Sequence, residues 1–233
     1  MSAPTEISDC DGLRVEIVRT RRKKTIALSV VDGGVRVLAP KRVSTEEIMA
    51  LVRRKANWVE KKRQQPQRQE KSYCSGEVFV LLGETVQLQV QDGRCTSIEL
   101  QQDQLVVCLS SRVRKRTDRI SSLIHGWYQQ QAEVHIQQRI DYYAALLGVT
   151  PRAMQVKRYK RRWGSCSSRG DLTFNWRIII APPAIVDYVV VHELCHLIHH
   201  NHRPEFWRCV ESILPDYRQR QAWLKANGSV LNA

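Results

Sequence analysis

Residues 187–202 read DYVVVHELCHLIHHNH and hold five of the chain's seven histidines. Inside this stretch His192, Glu193 and His196 have the HExxH spacing, which on a helix turns both imidazoles to one face with the carboxylate beside them. Ile185, Val186, Tyr188, Val189, Val190 and Val191 precede them, and Leu194 and Leu197 continue the apolar side. Any fold open to this chain must bury most of that helix against other elements and leave its last turn accessible.

Two imidazoles one turn apart make half of a metal site. Structural zinc takes four protein ligands, whereas catalytic zinc takes three and keeps a position for water. His200 continues the series, but on a straight helix it rises about 12 Å from His192. Bonds from imidazole to zinc are about 2 Å, so His192, His196 and His200 cannot share an ion. The third ligand has to follow a bend. Asn201 is expected to take the left-handed position that ends a helix, and Pro204 prevents its continuation. His202, between them, is therefore assigned as the third ligand. Glu205 and Glu211 are its rivals, and His199 and His200 are read as outer or solvated. The expected cofactor is one Zn2+ ion with Glu193 as general base, since zinc lowers the pKa of bound water to about 7. A purely structural zinc would need a fourth ligand from Cys195, Cys166 or Cys209.

The chain has 233 residues and a formal charge of +14, distributed unevenly. It is +8 over residues 1–71, −4 over 72–111, +10 over 112–170 and zero over 171–233. The basic segments 112–120 and 157–162 are thus candidate contacts for phosphate-bearing partners, nucleic acid included. Seven scattered cysteines without a CxxC pair argue against a secreted disulfide frame. The N-terminus is polar and acidic, and no apolar run approaches the roughly 18 residues of a membrane span. A cytoplasmic location without membrane insertion is the expectation.

The patterning predicts an α+β protein. Residues 1–12 are expected to form a flexible tail. Residues 13–111 form a β-rich portion with one helix, opened by a capping box at Ser44 and Glu47 and running to about residue 63. A hinge is expected at about residues 64–72, where RQQPQRQEKS lacks apolar residues. Residues 112–233 hold a long helix ending near Gly148, a hairpin, the histidine helix and two closing helices, the last ending at Gly228. The hairpin is expected to have a basic first strand over 155–163, a turn at 167–171 and a returning strand. No internal repeat of useful period is visible.

RRWGSCSSRGDLTFNWRIIIAPP followed by VVVHELCHLIHHNHRPEFW resembles the YgjP-like metallopeptidase-domain family, related to the SprT-like and WLM zincins. The resemblance implies a zincin-like metal-dependent hydrolase over 112–233, with zinc on His192, His196 and His202 and Glu193 catalytic. It also implies a basic strand ending in Trp163, Gly164, Ser165 and Cys166 beside the metal helix, so Arg161, Arg162, Trp163, Gly164 and Ser165 are the candidate substrate-binding residues. Cleavage of a peptide or protein substrate is the first reading, with a strand edge pairing to the chain being cut. The second is a nucleotide pyrophosphohydrolase of UTP-like type, in which the residue 157–162 cations neutralise phosphates and Trp163 stacks a base. The third is a nucleic-acid-binding module with a structural zinc.

Overall fold

A computed structural model describes residues 5–21, 25–31, 33–63, 71–159 and 161–231. By contact density the chain divides into two units, residues 1–69 and 70–233.

The first unit starts with β1 (Thr5–Cys10) and β2 (Leu13–Thr20), joined by Asp11 and Gly12 with φ of 55° and 79°. Two positive φ values are what a tight hairpin turn demands, and Asp-Gly is a favoured pair for it. The segment expected as a flexible tail is therefore largely an ordered edge strand, paired from Thr5↔Val18 to Cys10↔Leu13. β3 (Ala27–Val31) and β4 (Gly34–Pro40) complete a sheet of order β1-β2-β4-β3, whose central pair is parallel. Ser44 and Glu47 form the expected reciprocal cap. The single helix predicted after it is broken at Lys55, whose N–H bonds back to Leu51 and Val52 carbonyls and tightens the last turn. This gives α1 (Thr45–Arg54) and α2 (Ala56–Arg63). Ile48, Val52 and Val59 close over Val15, Ile17, Val35 and Val37, all nearly fully buried. The proposed hinge falls mostly outside the described residues.

In the second unit, β5 (Val78–Leu81), β6 (Glu84–Gly93), β7 (Ser97–Gln101) and β8 (Gln104–Ser110) form a sheet of order β5-β6-β8-β7 with a parallel central pair. This is the connectivity of the first sheet over again: two hairpins joined so that their long strands run parallel, followed by a helix. A repeat is present in topology that the sequence conceals, because the two sheets share only the alternation of apolar residues. The helix that follows is α3 (Arg116–Leu147), ending on left-handed Gly148. Next come β9 (Ala153–Lys157), β10 (Gly164–Cys166) and β11 (Asp171–Asn175), a 3-10 turn over Trp176–Ile180, and helices α4 (Pro183–Cys195), α5 (Pro204–Ile213) and α6 (Tyr217–Leu231). Proline opens α4 and α5, where its missing N–H costs no helical bond. α6 runs through Gly228 instead of ending there.

One apolar cluster joins Leu88, Leu105 and Leu109 of the sheet to Ile124, Ile136 and Ile140 of α3 and Val186 and Val190 of α4. The boundary expected at 111/112 thus lies at 69/70, because the β5–β8 sheet shares the core of the helices. Fully burying each such side chain contributes about 1.5–3 kcal/mol. α3 and α4 are also pinned by Arg139, which donates to Asp187 at 2.5 and 3.0 Å, with the Tyr143 hydroxyl on the same carboxylate at 3.0 Å.

His135 stands near that cluster, and its Nε2 is buried without a hydrogen-bond partner among the described residues. Burial lowers its pKa below the ordinary 6.5, with Asp187 opposing and Arg139 assisting. Folding therefore favours the neutral ring, and the associated stability is present above pH 6.5 and lost as pH falls below it. The thermal midpoint of His135→Leu is expected to fall less steeply than that of the wild type in this acid window. The difference in slope is at most about 1.4 kcal/mol per pH unit. Parallel midpoint curves for the two proteins would refute this.

Candidate active site

His192 and Glu193 occupy the last turn of α4, and His196 caps it. Beyond this point the helix tightens: Leu197 N–H bonds to the Leu194 carbonyl at 2.9 Å and Ile198 N–H to that of Cys195 at 3.1 Å. The chain therefore leaves the helix axis before Asn201. Asn201 is not among the residues of positive φ, contrary to the expected left-handed cap. Its side chain instead accepts the Arg203 N–H at 3.3 Å, a local turn that Asn favours. The chain then folds back, and His202 Nε2 lies 3.1 Å from His192 Nε2.

His192, His196 and His202 each offer a ring nitrogen within 4.8 Å of the others, the sole group of three or more metal-ligating side chains so placed among the described residues. Glu205 and Glu211 are not part of it; Glu205 pairs with Arg208 at 3.2 Å. His199 supplies its carbonyl to His196 Nδ1 at 3.0 Å, and His200 is exposed. The cysteines considered as a fourth ligand face elsewhere: Cys195 and Cys209 approach each other at 3.3 Å, and Cys166 donates to the Ser167 carbonyl.

The donor set fits a metal. A tetrahedral ion with nitrogen bonds of about 2.0–2.1 Å separates its ligands by roughly 3.3 Å, close to the spacing of His192 and His202. The contact between His196 Nδ1 and the His199 carbonyl fixes that ring and leaves Nε2 to ligate. His192 has a pKa pushed down to about 3 by burial and by the imidazoles of His196 and His202, so it stays neutral with a lone pair available. Beneath the three rings lies Phe206, fully buried, its centroid 4.5–4.9 Å from each. Trp207 stacks on His202 at 5.6 Å. This aromatic floor is not among the expected site residues, although the Phe-Trp pair shortly after the last histidine is its signal in the sequence.

Glu193 is 6 % exposed. Burial raises its carboxyl pKa to about 7 against the opposing pull of Arg162 and of the Cys166 N–H, which donates to it. Gly164 lies against it so closely that a Cβ there would stand 2.5 Å from Oε1 and 2.6 Å from Cγ. The Gly-Ser-Cys strand is thus a wall for the buried carboxylate, which explains a glycine at that position.

The rest of the basic segment departs from expectation. Residues 155–163 do not make one strand: β9 ends at Lys157 and β10 starts at Gly164. The predicted hairpin consists of β10 and β11, while β9 pairs parallel to β11 on its other side. Asn175, fully buried, holds the connection by donating Nδ2 to the carbonyls of Tyr159 and Arg162, both at 3.2 Å. Ser165 Oγ meets the Tyr159 hydroxyl at 3.0 Å. Arg161 and Arg162 are exposed. Trp163 packs on Gly228 of α6, where a Cβ would be 3.3 Å from its ring, so the face proposed for base stacking is part of the core boundary. The contact also explains a glycine inside α6.

The family described as YgjP-like, metallopeptidase domain, matches residues 24–227. Among solved structures, the metallopeptidase zymogen abylysin of Pyrococcus abyssi is 20% identical, with 39% of this chain and 92% of that chain covered and a TM-score of 0.37. The metallopeptidase zymogen jannalysin of Methanocaldococcus jannaschii is 18% identical, with 41% and 96% covered and a TM-score of 0.36. A search of curated proteins finds no match. No helix among the described residues is long and apolar enough to cross a membrane.

Proposed function

Since this chain belongs to the YgjP-like family, metallopeptidase domain, we propose that it is a zinc-dependent peptidase with one ion on His192, His196 and His202 and with Glu193 as general base. The observation that carries the reading is the convergence of three imidazoles, a buried glutamate on the same helix turn and β10 at the edge of its sheet among the described residues. Zinc bound there supplies Lewis acidity that makes water more acidic and polarises a substrate carbonyl. Glu193 would take the proton of the attacking water and hand it to the leaving amine, its orientation supported by the Cys166 N–H.

Substrate placement follows from strand parity. Asn175 N–H bonds to the Trp163 carbonyl and Ser167 N–H to that of Asp171, which directs the backbone of Trp163, Ser165 and Ser167 towards β11. Gly164 and Cys166 then face the open side. The Cys166 N–H is taken by Glu193, and the other outward backbone groups of Gly164 and Cys166, which pair with no backbone group among the described residues, would bond to an extended peptide, the mode of strand addition. The nucleotide reading has less to stand on, since Trp163 packs against α6 and β9 ends at Lys157, before the cations at 158–162.

Metal-loaded and chelator-treated protein should be assayed side by side on a denatured protein mixture and on a panel of nucleoside triphosphates. Peptide-bond cleavage is expected, abolished by the chelator and restored by added zinc. Hydrolysis of nucleotides alone would reverse the assignment.

A further inference from the structure

We propose that the open face of the three-stranded sheet is a specificity pocket for an acidic side chain of the peptide substrate, with Arg162 as its recognition residue. This deepens the peptidase reading and rests on it. The depression has a volume of about 470 Å³ and lies between Arg152, Gln155, Arg162, Ser165, Asp171 and Thr173. Side chains on one face of a strand recur every second residue. Ala153 and Gln155 of β9, Asp171 and Thr173 of β11 and Ser165 of β10 accordingly share the face turned away from buried Leu172 and Phe174.

Charge accounting selects the ligand. Asp171 is answered twice, by Arg152 at 2.6 and 3.1 Å and by the Ser167 hydroxyl at 3.2 Å. Arg162 makes no ion pair among the described residues, and the residues lining the pocket sum to one positive charge, whose field also reaches Glu193. A single carboxylate balances that charge, and a guanidinium fork matches its two oxygens. A triphosphate would bring a large negative excess. Hydroxyl and amide groups of Ser165, Thr173 and Gln155 line the remaining wall and suit a polar occupant.

Two residues of the pocket lining also act on Glu193. Cys166 donates its N–H to Glu193; Arg162 lies near enough for its charge to act on that carboxylate. The backbone from which the arginine side chain springs is held, since the Arg162 carbonyl accepts from buried Asn175. A peptide laid along β10 would thus deliver one side chain, from a residue flanking the cut, to Arg162.

Synthetic peptides identical except for Glu, Gln or Lys at single positions flanking the cleaved bond provide the test. The wild type is expected to show kcat/KM about 10- to 100-fold higher for Glu than for Gln at one position, the size of a charge-assisted contact. Arg162→Lys should keep the preference, Arg162→Ala should abolish it and Arg162→Glu should turn it towards Lys. A ratio near one in the wild type, or one unchanged in Arg162→Ala, overturns the pocket while leaving a peptidase. If the zinc-loaded wild type cleaves nucleoside triphosphates and no peptide, the peptidase reading falls, and the pocket assignment with it. Should Arg162→Ala not fold, the Lys and Glu variants carry the comparison by their opposite signs.

Discussion

Glu193→Gln is expected to bind zinc as tightly as the wild type and to cleave peptide about 10²- to 10⁴-fold more slowly, the usual range for loss of a general base. Glutamine occupies nearly the same volume, so the wall formed by Gly164 need not move. Its amide oxygen can still accept the Cys166 N–H, which preserves orientation while removing the ability to take a proton. None of the three imidazoles hydrogen-bonds to Glu193, so the metal site has no reason to loosen. Zinc competition against a chromogenic chelator and steady-state kinetics measure the two quantities separately. A variant that turns over at the wild-type rate removes Glu193 from the mechanism, and one that loses zinc shows that the carboxylate supports the site instead of the reaction.

The parts of this site that could be read from sequence were those governed by one helix. The rise per residue ruled His200 out against His192 and pointed past the end of the helix to His202. The bend itself does not arise from a left-handed Asn201. Its cause is the tightening after His196, with Asn201 acting through its side chain, and neither leaves a signature beyond a polar run after an apolar helix. The basic segment failed for a different reason. Alternation over 155–163 fits a strand equally well whether or not it is one; what breaks it is the parallel pairing of β9 with β11 and the clamp from Asn175, both contacts between residues distant in sequence. β1 is hard to see in the sequence because TEISDC has little apolar content, although Asp11-Gly12 beside it is a hairpin signal. The duplicated sheet topology lies beyond any residue pattern, since it resides in which strands pair.

Gly164→Ala is expected to lower kcat by about 100-fold or more while leaving zinc in place, as misplacement of a reacting group by about 1 Å can cost that much. Gly164 does not have positive φ, so alanine meets no backbone penalty and the whole effect arises from contact. That contact involves Cγ and Cδ of Glu193 as well as its oxygen, so a rotation of the carboxylate tip cannot relieve it. Neither side can retreat. β10 is registered to β11, where the partner of Gly164 is fully buried Phe174, and α4 is packed through Val190, Val191 and Leu194. Glu193 must therefore swing away from the Cys166 N–H, and the strain should also cost about 1–3 kcal/mol of stability. A specific coupling between the two positions is expected. In a Glu193→Ala background the obstructing atoms are gone, and adding Gly164→Ala should cost almost no further stability, which denaturant midpoints of the four proteins in the double-mutant cycle would reveal. Equal costs in both backgrounds would mean that the glycine serves the strand itself and not the carboxylate it faces.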